Sequence, residues 1–243
     1  MTIQILSTKA ASRIAAGEVV ERPSSVVKEL IENSLDASAT NISIAIVGGG
    51  LQSIRVVDNG VGIRSDEAEL AFYRFATSKM PEEGTLDSIS TLGFRGEALP
   101  SIAAVSRVSL LTRTSDELVG TLVVTENGEF IERSLIGCPE GTTVTVENLF
   151  SAVPARLNFI KSATTETTRV QSVVHRLALS YPETKFHLDI DGRTSFDSSG
   201  TGNIRDVCSA VYGSKVSRVL LELFAPAAHD NEIGIHGMIS PPD

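Results

Sequence analysis

Cysteine is scarce in this sequence, which has only Cys138 and Cys208, far apart along the chain. No metal-ligand spacing surrounds either residue, so the pattern argues against a zinc site and against a framework of disulfides. Two isolated thiols are typical of a protein that stays in a reducing compartment. The sequence therefore predicts two packing cysteines and a cytoplasmic location.

Long apolar runs are also missing. Lys9, Arg13 and Glu18 interrupt the first residues, so no signal-peptide core is present. No stretch is long and apolar enough to span a bilayer, and we expect no membrane association. The pattern G-x-x-x-x-G-K-[ST] does not occur, which excludes a P-loop nucleotide site. Internal repeats and low-complexity tracts are absent as well.

The chain has no excess of positive charge, since its net charge is −9 and its isoelectric point about 5.0. This balance argues against a strongly basic nucleic-acid module. It leaves open DNA binding through a local basic groove, because phosphate contacts depend on where lysine and arginine lie. With 243 residues, 42% hydrophobic and 21% charged, the composition indicates a globular protein of one large domain, or one domain and part of another.

A helix over Ser24–Asp36 is the first clear element. Its apolar residues recur at spacings of three and four and form one stripe. A second stripe carries Glu29, Glu32, Asn33 and Asp36. On its own this polar stripe is more typical of a solvated face than of a binding site.

A pair of strands follows the helix. Residues 41–47 alternate apolar and polar side chains, 48–50 are three glycines, and 53–57 form the returning strand. The returning strand ends at Asp58, which Asn59 and Gly60 follow. The tripeptide DNG by itself indicates a hairpin turn, whereas a carboxylate at a strand end also suits a ligand pocket.

Further elements follow in order. Residues 66–74 read as a helix, residues 80–92 as a lid without periodicity, and Glu97 begins another helix. Strand patterns occupy 108–111, 118–125, 129–135, 142–146, 186–190, 193–196, 216–223 and 232–239, and further helices 165–180 and 204–212.

Hairpin strands with helices between them predict an α+β fold: a two-layer sandwich with a mixed, largely antiparallel sheet and helices on one face. The best linker is 197–203, DSSGTGN. Too little sequence follows it to bury a core. We therefore expect one domain over residues 1–200 and the beginning of a truncated second α/β domain over 201–243.

Several motifs together carry a family resemblance. In chain order they are DNGVG at 58–62, ATSK at 76–79, GFRGEAL at 93–99 and GTT at 141–143. With the Glu29–Asp36 stripe, they resemble the ATP site shared by gyrase, heat-shock chaperones, histidine kinases and MutL. The run IAAGEVVERP at 14–23 and GFRGEAL narrow the resemblance to the MutL mismatch repair family. It covers essentially the whole chain.

The resemblance implies roles for single residues. Glu29 would be the general base, Asn33 a magnesium ligand, and Asp58 the acceptor for the adenine amino group. Thr77 would help Asp58 hold the base through water, and Thr143 would lie near the base. The implied nucleotide-binding set comprises Asn33, Asp58, Gly60, Gly62, Thr77, Ser78, Lys79, Gly93, Phe94, Arg95, Gly96, Glu97, Ala98, Leu99 and Thr143.

One segment departs from the family pattern. Residues 149–159 resemble a stretch that usually reads LF-x-N-x-PAR-x-KF, but Ala152 replaces the asparagine and Asn158 the lysine. The segment lies outside the ATP motifs, so the departure bears on a basic contact and not on nucleotide binding.

The resemblance also implies a function. It indicates a slow ATPase that uses ATP and magnesium, with residues 1–200 as the ATP-binding domain. The N-terminal arm would cross to a second copy in an ATP-dependent homodimer that closes as a clamp on DNA. Implied partners are DNA, the mismatch-recognition protein MutS, and a downstream nuclease or helicase. The alternative is a nucleotide-binding switch that recruits repair partners, with hydrolysis incidental.

Overall fold

The computed structural model describes residues 20–79, 91–93, 96–225 and 233–242. Residues 1–19 and most of the predicted lid lie outside these ranges. The strands are β1 (Asn41–Val47), β2 (Ser53–Asp58), β3 (Arg107–Arg113), β4 (Gly120–Glu126), β5 (Glu129–Ile136), β6 (Gly141–Glu147), β7 (Lys185–Ile190), β8 (Arg193–Asp197), β9 (Leu221–Ala225) and β10 (Ile235–Ile239).

The α-helices within these ranges are α1 (Pro23–Asp36), α2 (Ala98–Ala103), α3 (Pro154–Leu157), α4 (Ala163–Ser180), α5 (Ile204–Tyr212) and α6 (Ser214–Val219). Pro23 occupies the first turn of α1, where its missing N–H costs no hydrogen bond. At the start of α4, the Ser162 hydroxyl accepts a hydrogen bond from the Thr165 backbone N–H. Both helix starts thus follow from local sequence.

Eight strands form one sheet in the order β5-β4-β3-β6-β2-β1-β7-β8. Every neighbouring pair is antiparallel except β1 and β7, which run parallel with Asn41 opposite Lys185. The predicted mixed, largely antiparallel sheet is confirmed. Strands β9 and β10 form a separate antiparallel hairpin.

The core lies between the sheet and its helices. The inward residues of β1 are Ile42, Ile44 and Ile46, each at most 1% exposed, and they alternate with less buried positions. The stripe of α1 that faces them is equally buried: Val26, Val27, Leu30 and Ile31. These apolar stripes leave the polar stripe of α1 at the border of the core, near the ends of β2 and β6.

The predicted helix over 66–74 is wrong. Only Leu70–Phe72 is helical there, as one 3-10 turn, and most neighbouring backbone bonds span three residues. Contacts from other elements hold this segment: Glu117 accepts a hydrogen bond from the Ser65 backbone N–H, and Arg133 donates to the Ser65 carbonyl. These long-range ties override the local helical pattern.

The C-terminal part also departs from prediction. The strand-like run 216–223 is divided between α6 and β9, because the Ser217 hydroxyl donates to the Arg205 carbonyl and ties this turn to α5. Val207 of α5 belongs to the main core, whereas the β9–β10 hairpin exposes apolar side chains such as Phe224. The domain boundary at residue 200 stays a prediction. Among the described residues, no helix is long and apolar enough to cross a membrane.

Candidate active site

Asp58 ends β2 on the sheet face that the helices cover. Its Oδ2 accepts a hydrogen bond from the buried Ser34 hydroxyl of α1 at 2.7 Å. Its Oδ1 accepts from the backbone N–H groups of Gly60, at 2.9 Å, and Thr142, at 3.2 Å. The carboxylate thereby links α1, β2 and β6 at one point.

Two opposing effects act on the Asp58 carboxyl. Burial is the larger and raises its pKa above the ordinary value, while the hydrogen bonds from Ser34, Gly60 and Thr142 lower it. Part-buried carboxyls with shifted pKa values are common at functional sites. The strand that ends in DNG pairs with β1 and β6, and neither follows it directly in the chain, so DNG is not a hairpin turn.

The buried Thr112 holds together the two backbone segments beside Asp58. Thr112 accepts a hydrogen bond from the Ile63 backbone N–H at 2.8 Å, and its hydroxyl lies 3.1 Å from both the Gly141 carbonyl and the Thr142 hydroxyl. Thr112 thus joins the segment after DNG to the start of β6.

The position of Thr143 near the base stays a prediction, and the register of β6 with β2 gives its place on the strand. Thr142 is paired with Asp58 in the register, so the two residues share a face, whereas Thr143 is paired with Val57. Because side chains alternate along a strand, the Thr143 side chain lies on the face away from the helices. The hydrogen bond that Asp58 accepts from this motif comes from the backbone N–H of the neighbouring Thr142.

Asn59 and Gly60 stabilise the backbone around Asp58. Asn59 Oδ1 accepts hydrogen bonds from the backbone N–H groups of Thr40 and Asn41, which fixes the start of β1. A Cβ on Gly60 would lie 2.7 Å from the Ala37 carbonyl oxygen. Only glycine allows this close approach to the end of α1.

Gly62 provides a test of the site's scaffold. Its φ is +73°, and an added Cβ would lie 2.2 Å from the Arg113 carbonyl oxygen. Gly192 has a similar φ of +77° but has no atom within 4 Å of the added Cβ. Gly192→Ala is therefore expected to cost only backbone strain, about 1–2 kcal/mol. Gly62→Ala adds a clash and is expected to cost about 3 kcal/mol or more in urea unfolding. Equal losses would show that the close approach does not matter.

Glu29 and Asn33 lie one turn apart on α1. Burial, the largest influence, raises the pKa of Glu29 above its ordinary value, and nearby Lys28 opposes that shift. Lys28 lies 3.7 Å from Glu29 and 2.6 Å from Glu32. Glu29 is thus a half-buried carboxyl at the border of the core, a suitable position for a general base.

Lys79 contacts the same stripe. Its Nζ donates to Asn33 Oδ1 at 2.8 Å and also binds the Asp36 carboxylate. Thr77 and Ser78 are exposed, and the Thr77 hydroxyl accepts a hydrogen bond from the Lys79 backbone N–H. The structure brings Lys79 to α1, whereas the hydrogen bond of Thr77 stays within its own segment.

The glycine-rich segment closes the other side of the site. The Gly93 backbone N–H donates to Asp36. Gly96, at φ +59°, packs so closely on Ala76 that a Cβ would lie 2.4 Å from its carbonyl oxygen. Glu97 precedes α2, which begins with Ala98 and Leu99. Phe94 and Arg95 lie outside the described residues.

Sequence reasoning missed three contributors to this site: Ser34, Thr112 and Thr142. Ser34 occurs in a helix interior, and Thr112 and Thr142 occur in strands, where threonine is common. Only the pairing of β2 with β6 and their packing against α1 bring these hydroxyl and amide groups to Asp58. Their one sequence signal was the place of Thr142 within the GTT motif at 141–143.

Comparisons with known proteins identify the family of the chain. Residues 21–134 match the family described as "Histidine kinase-, DNA gyrase B-, and HSP90-like ATPase". The chain is 47% identical over 240 residues to the DNA mismatch repair protein MutL of Desulforamulus reducens, covering 99% of this chain and 37% of that protein. For the Staphylococcus aureus (strain Newman) MutL the identity is 45%, with 99% and 35% covered.

Solved structures point the same way. The Aquifex aeolicus MutL ATPase domain complexed with ADP is 33% identical, with a TM-score of 0.71, over 85% of this chain and 73% of that one. The N-terminal domain of a DNA repair protein aligns with a TM-score of 0.78 at 28% identity, over 95% of this chain and 71% of that one.

Fold and site together define an ATPase domain of the histidine kinase, gyrase B and HSP90 class. Within that class, the chain belongs to the MutL family. It spans less than half the length of the curated MutL relatives that it matches.

Proposed function

We propose that this chain binds ATP with magnesium and hydrolyses it slowly, as the ATPase region of a MutL mismatch repair protein. The observation that carries the proposal is the 2.7 Å hydrogen bond from Ser34 to Asp58. It joins the end of β2 to the helix that also bears Glu29 and Asn33. We therefore place Asp58, as the carboxylate that binds adenine, and the polar stripe of α1, which faces the phosphates, in one site.

Asp58 is proposed to recognise adenine. Its Oδ1 already accepts two backbone N–H groups, so that oxygen is fixed in place. Oδ2 accepts from Ser34 and keeps acceptor capacity for the 6-amino group of adenine, since an ionised carboxylate offers several lone pairs. Gly60 donates its backbone N–H to this carboxylate, and Gly62 packs against the Arg113 carbonyl, so both glycines fix the backbone beside the proposed adenine site.

The phosphate side is proposed to lie along α1. Within the described residues, no group of three or more His, Cys, Asp and Glu side chains forms a metal cage. Asn33 Oδ1 nevertheless accepts from the Lys79 ammonium, so this oxygen already faces a cation. Magnesium usually keeps several bound waters and takes further ligands from substrate phosphates, so one neutral protein oxygen such as Asn33 Oδ1 is a suitable ligand. Bound there, magnesium would neutralise phosphate charge.

Glu29 is proposed as the general base. It lies one helical turn before Asn33 and its carboxyl has a raised pKa, so it holds a proton more readily than an exposed glutamate does. Deprotonated, it would orient a water beside the terminal phosphate and accept a proton from it. Lys79 and backbone N–H groups of the segment 95–99 would hold the phosphates.

The pKa of Glu29 gives a prediction for pH dependence. The base must be ionised, so kcat/KM for ATP, which reports the free enzyme, is expected to fall as the pH drops through the raised pKa. The midpoint of that fall is expected above 4.5, the ordinary pKa of glutamate. Steady-state rates, with circular dichroism at each pH to verify folding, measure it. A midpoint at or below pH 4.5 would contradict the assignment.

The role of the longer protein extends this proposal. We propose that ATP binding closes two copies as a homodimeric clamp on DNA, and that the clamp couples MutS to a downstream nuclease or helicase. The family membership supports this role. Light scattering of a full-length protein saturated with a non-hydrolysable ATP analogue tests it, and an unchanged monomer mass would refute the clamp.

A direct test of nucleotide binding uses calorimetry on this chain. The non-hydrolysable ATP analogue is titrated with and without magnesium. We expect saturable binding of one nucleotide per chain, tighter with magnesium because the metal offsets phosphate charge. Absence of binding under both conditions would refute the proposed function of the chain.

A further inference from the structure

Asp36 is the last residue of α1, and its side chain is only 6% exposed. Its Oδ1 accepts a hydrogen bond from the Leu92 backbone N–H at 2.9 Å. Its Oδ2 accepts from the Gly93 backbone N–H at 3.2 Å and binds the Lys79 ammonium. One buried carboxylate thus holds three donors that come from two segments far along the chain.

Lys79 is shared between two acceptors. Its ammonium carries three protons, and the contacts with Asn33 Oδ1 and Asp36 Oδ2 use two of them. Within the part of the chain that the structure describes, the third proton has no acceptor, which leaves it for an oxygen of a bound phosphate. Lys79 does not have to leave Asp36 in order to contact such an oxygen.

We propose that Asp36 is a positioning residue for phosphate binding, which holds the Lys79 ammonium and the Leu92–Gly93 backbone beside Asn33. The proposal rests on the proposed nucleotide-binding function. Asp36 does not touch the nucleotide itself, because a carboxylate against a phosphate would repel it. Its carboxylate instead holds the Lys79 ammonium beside Asn33 and accepts the Gly93 backbone N–H, which connects the GFRGEAL segment to α1.

This assignment changes the expected role of Gly93. Its backbone N–H is engaged by Asp36 and is not directed to a phosphate. A Cβ on Gly93 would meet Lys79 Nζ at 3.6 Å and Asp36 Oδ2 at 3.9 Å, so the residue lies directly against the ion pair. The phosphates would then be held by later N–H groups of the segment and by Lys79.

The variant Asp36→Asn tests the proposal, because it keeps the size and one acceptor oxygen but removes the charge. The matched control is Asp116→Asn, which removes a charge from an exposed aspartate on the β3–β4 turn. Calorimetry measures two ligands: the non-hydrolysable ATP analogue with magnesium, and adenosine. Adenosine carries no phosphate and reports only on the base side.

We expect Asp36→Asn to weaken binding of the triphosphate about tenfold, the effect of losing one charge-assisted hydrogen bond. Its affinity for adenosine should equal that of the parent, and Asp116→Asn should match the parent for both ligands. Equal affinities of Asp36→Asn and the parent for the triphosphate would overturn the proposal. Parallel loss of both ligands would also overturn it, since that result indicates general damage to the fold.

The effect of Asp36→Asn in a protein that already carries Lys79→Met shows whether Asp36 acts through Lys79. Lys79→Met is expected to weaken triphosphate binding by itself. Adding Asp36→Asn should then cause a smaller loss than it causes in the parent, because only the contacts with the Leu92 and Gly93 backbone remain to be lost. A full additional tenfold loss would mean that Asp36 acts by another route. If the parent chain binds adenosine but no triphosphate, or neither ligand, the proposed function fails, and this outcome is distinct from a failure confined to the Asp36 variant.

Discussion

Replacing Glu29 with alanine is expected to reduce ATP turnover by about 10²–10⁴-fold, the usual contribution of a general base. Nucleotide affinity is expected to stay within about twofold of the parent value, because the base acts mainly in the transition state. Glu29 has the position for this role: it lies half-buried on α1, one turn before Asn33, and burial raises the pKa of its carboxyl. Phosphate release measures turnover, and calorimetry measures affinity.

Glu32→Ala is the matched control for this experiment. Glu32 lies on the same helix and pairs with Lys28, so its loss changes the local charge without removing the base. Turnover of Glu29→Ala at the parent rate would exclude Glu29 as the base. Repair assays with the full-length variant then separate two roles. A clamp driven by hydrolysis predicts loss of repair, whereas a switch that only binds nucleotide predicts normal repair.

Asp58→Asn is expected to weaken ATP binding roughly tenfold to a hundredfold, as for loss of a hydrogen bond to a charged acceptor. The fixed Oδ1 position accepts two backbone N–H groups, so the carboxamide oxygen would occupy it. The new NH₂ group would then replace Oδ2 and face the 6-amino group of adenine. Two donors cannot pair, and the base would lose its partner.

The same variant is expected to change the preference for the base. Inosine triphosphate carries a 6-oxo group in place of the 6-amino group, and that oxygen accepts from an NH₂ donor. The ratio of affinities for ATP and inosine triphosphate should therefore fall in Asp58→Asn and stay at the parent value in Asp116→Asn. An unchanged ratio with unchanged ATP affinity would exclude Asp58 from adenine recognition.

Strand and helix bounds followed closely from local patterns. Alternation at 41–47 matches β1, and the apolar stripe of 24–36 matches α1 within one residue. Both patterns reflect which side chains are buried, and the folded chain buries the same side chains, so these elements are predicted correctly. Local patterns do not predict the order of the strands in the sheet. For example, β1 lies beside β7, which comes much later in the chain.

Positions that depend on long-range packing were less predictable. A motif identifies a segment but not the contacts that each of its residues makes, so the sequence does not predict that the Thr142 backbone N–H donates to Asp58. A shift of one residue along a strand changes the face. The stripe on α1 likewise indicated a site, but the contacts between Asp36, Lys79 and Gly93 depend on chain segments that local periodicity does not relate.

The helix predicted over 66–74 failed for a related reason. Its apolar residues have helical spacing, yet Ala68 and Phe72 are buried whereas Leu70 and Phe75 are exposed. Hydrogen bonds to Glu117 and Arg133 fix the backbone just before this segment. Tertiary contacts therefore decided a conformation that intrinsic preference favoured only weakly.

The parallel pairing of β1 with β7 has a consequence for synthesis on the ribosome. Asn41 lies opposite Lys185, so β1 must wait for about 140 residues before its second neighbour emerges, roughly 7–30 s at ordinary elongation rates. During that interval the β1–β2 ribbon presents an unpaired edge with three isoleucines. Nascent chains are thus most prone to pair with one another before residue 190 has left the exit tunnel, and a chaperone that covers this edge would act within that window.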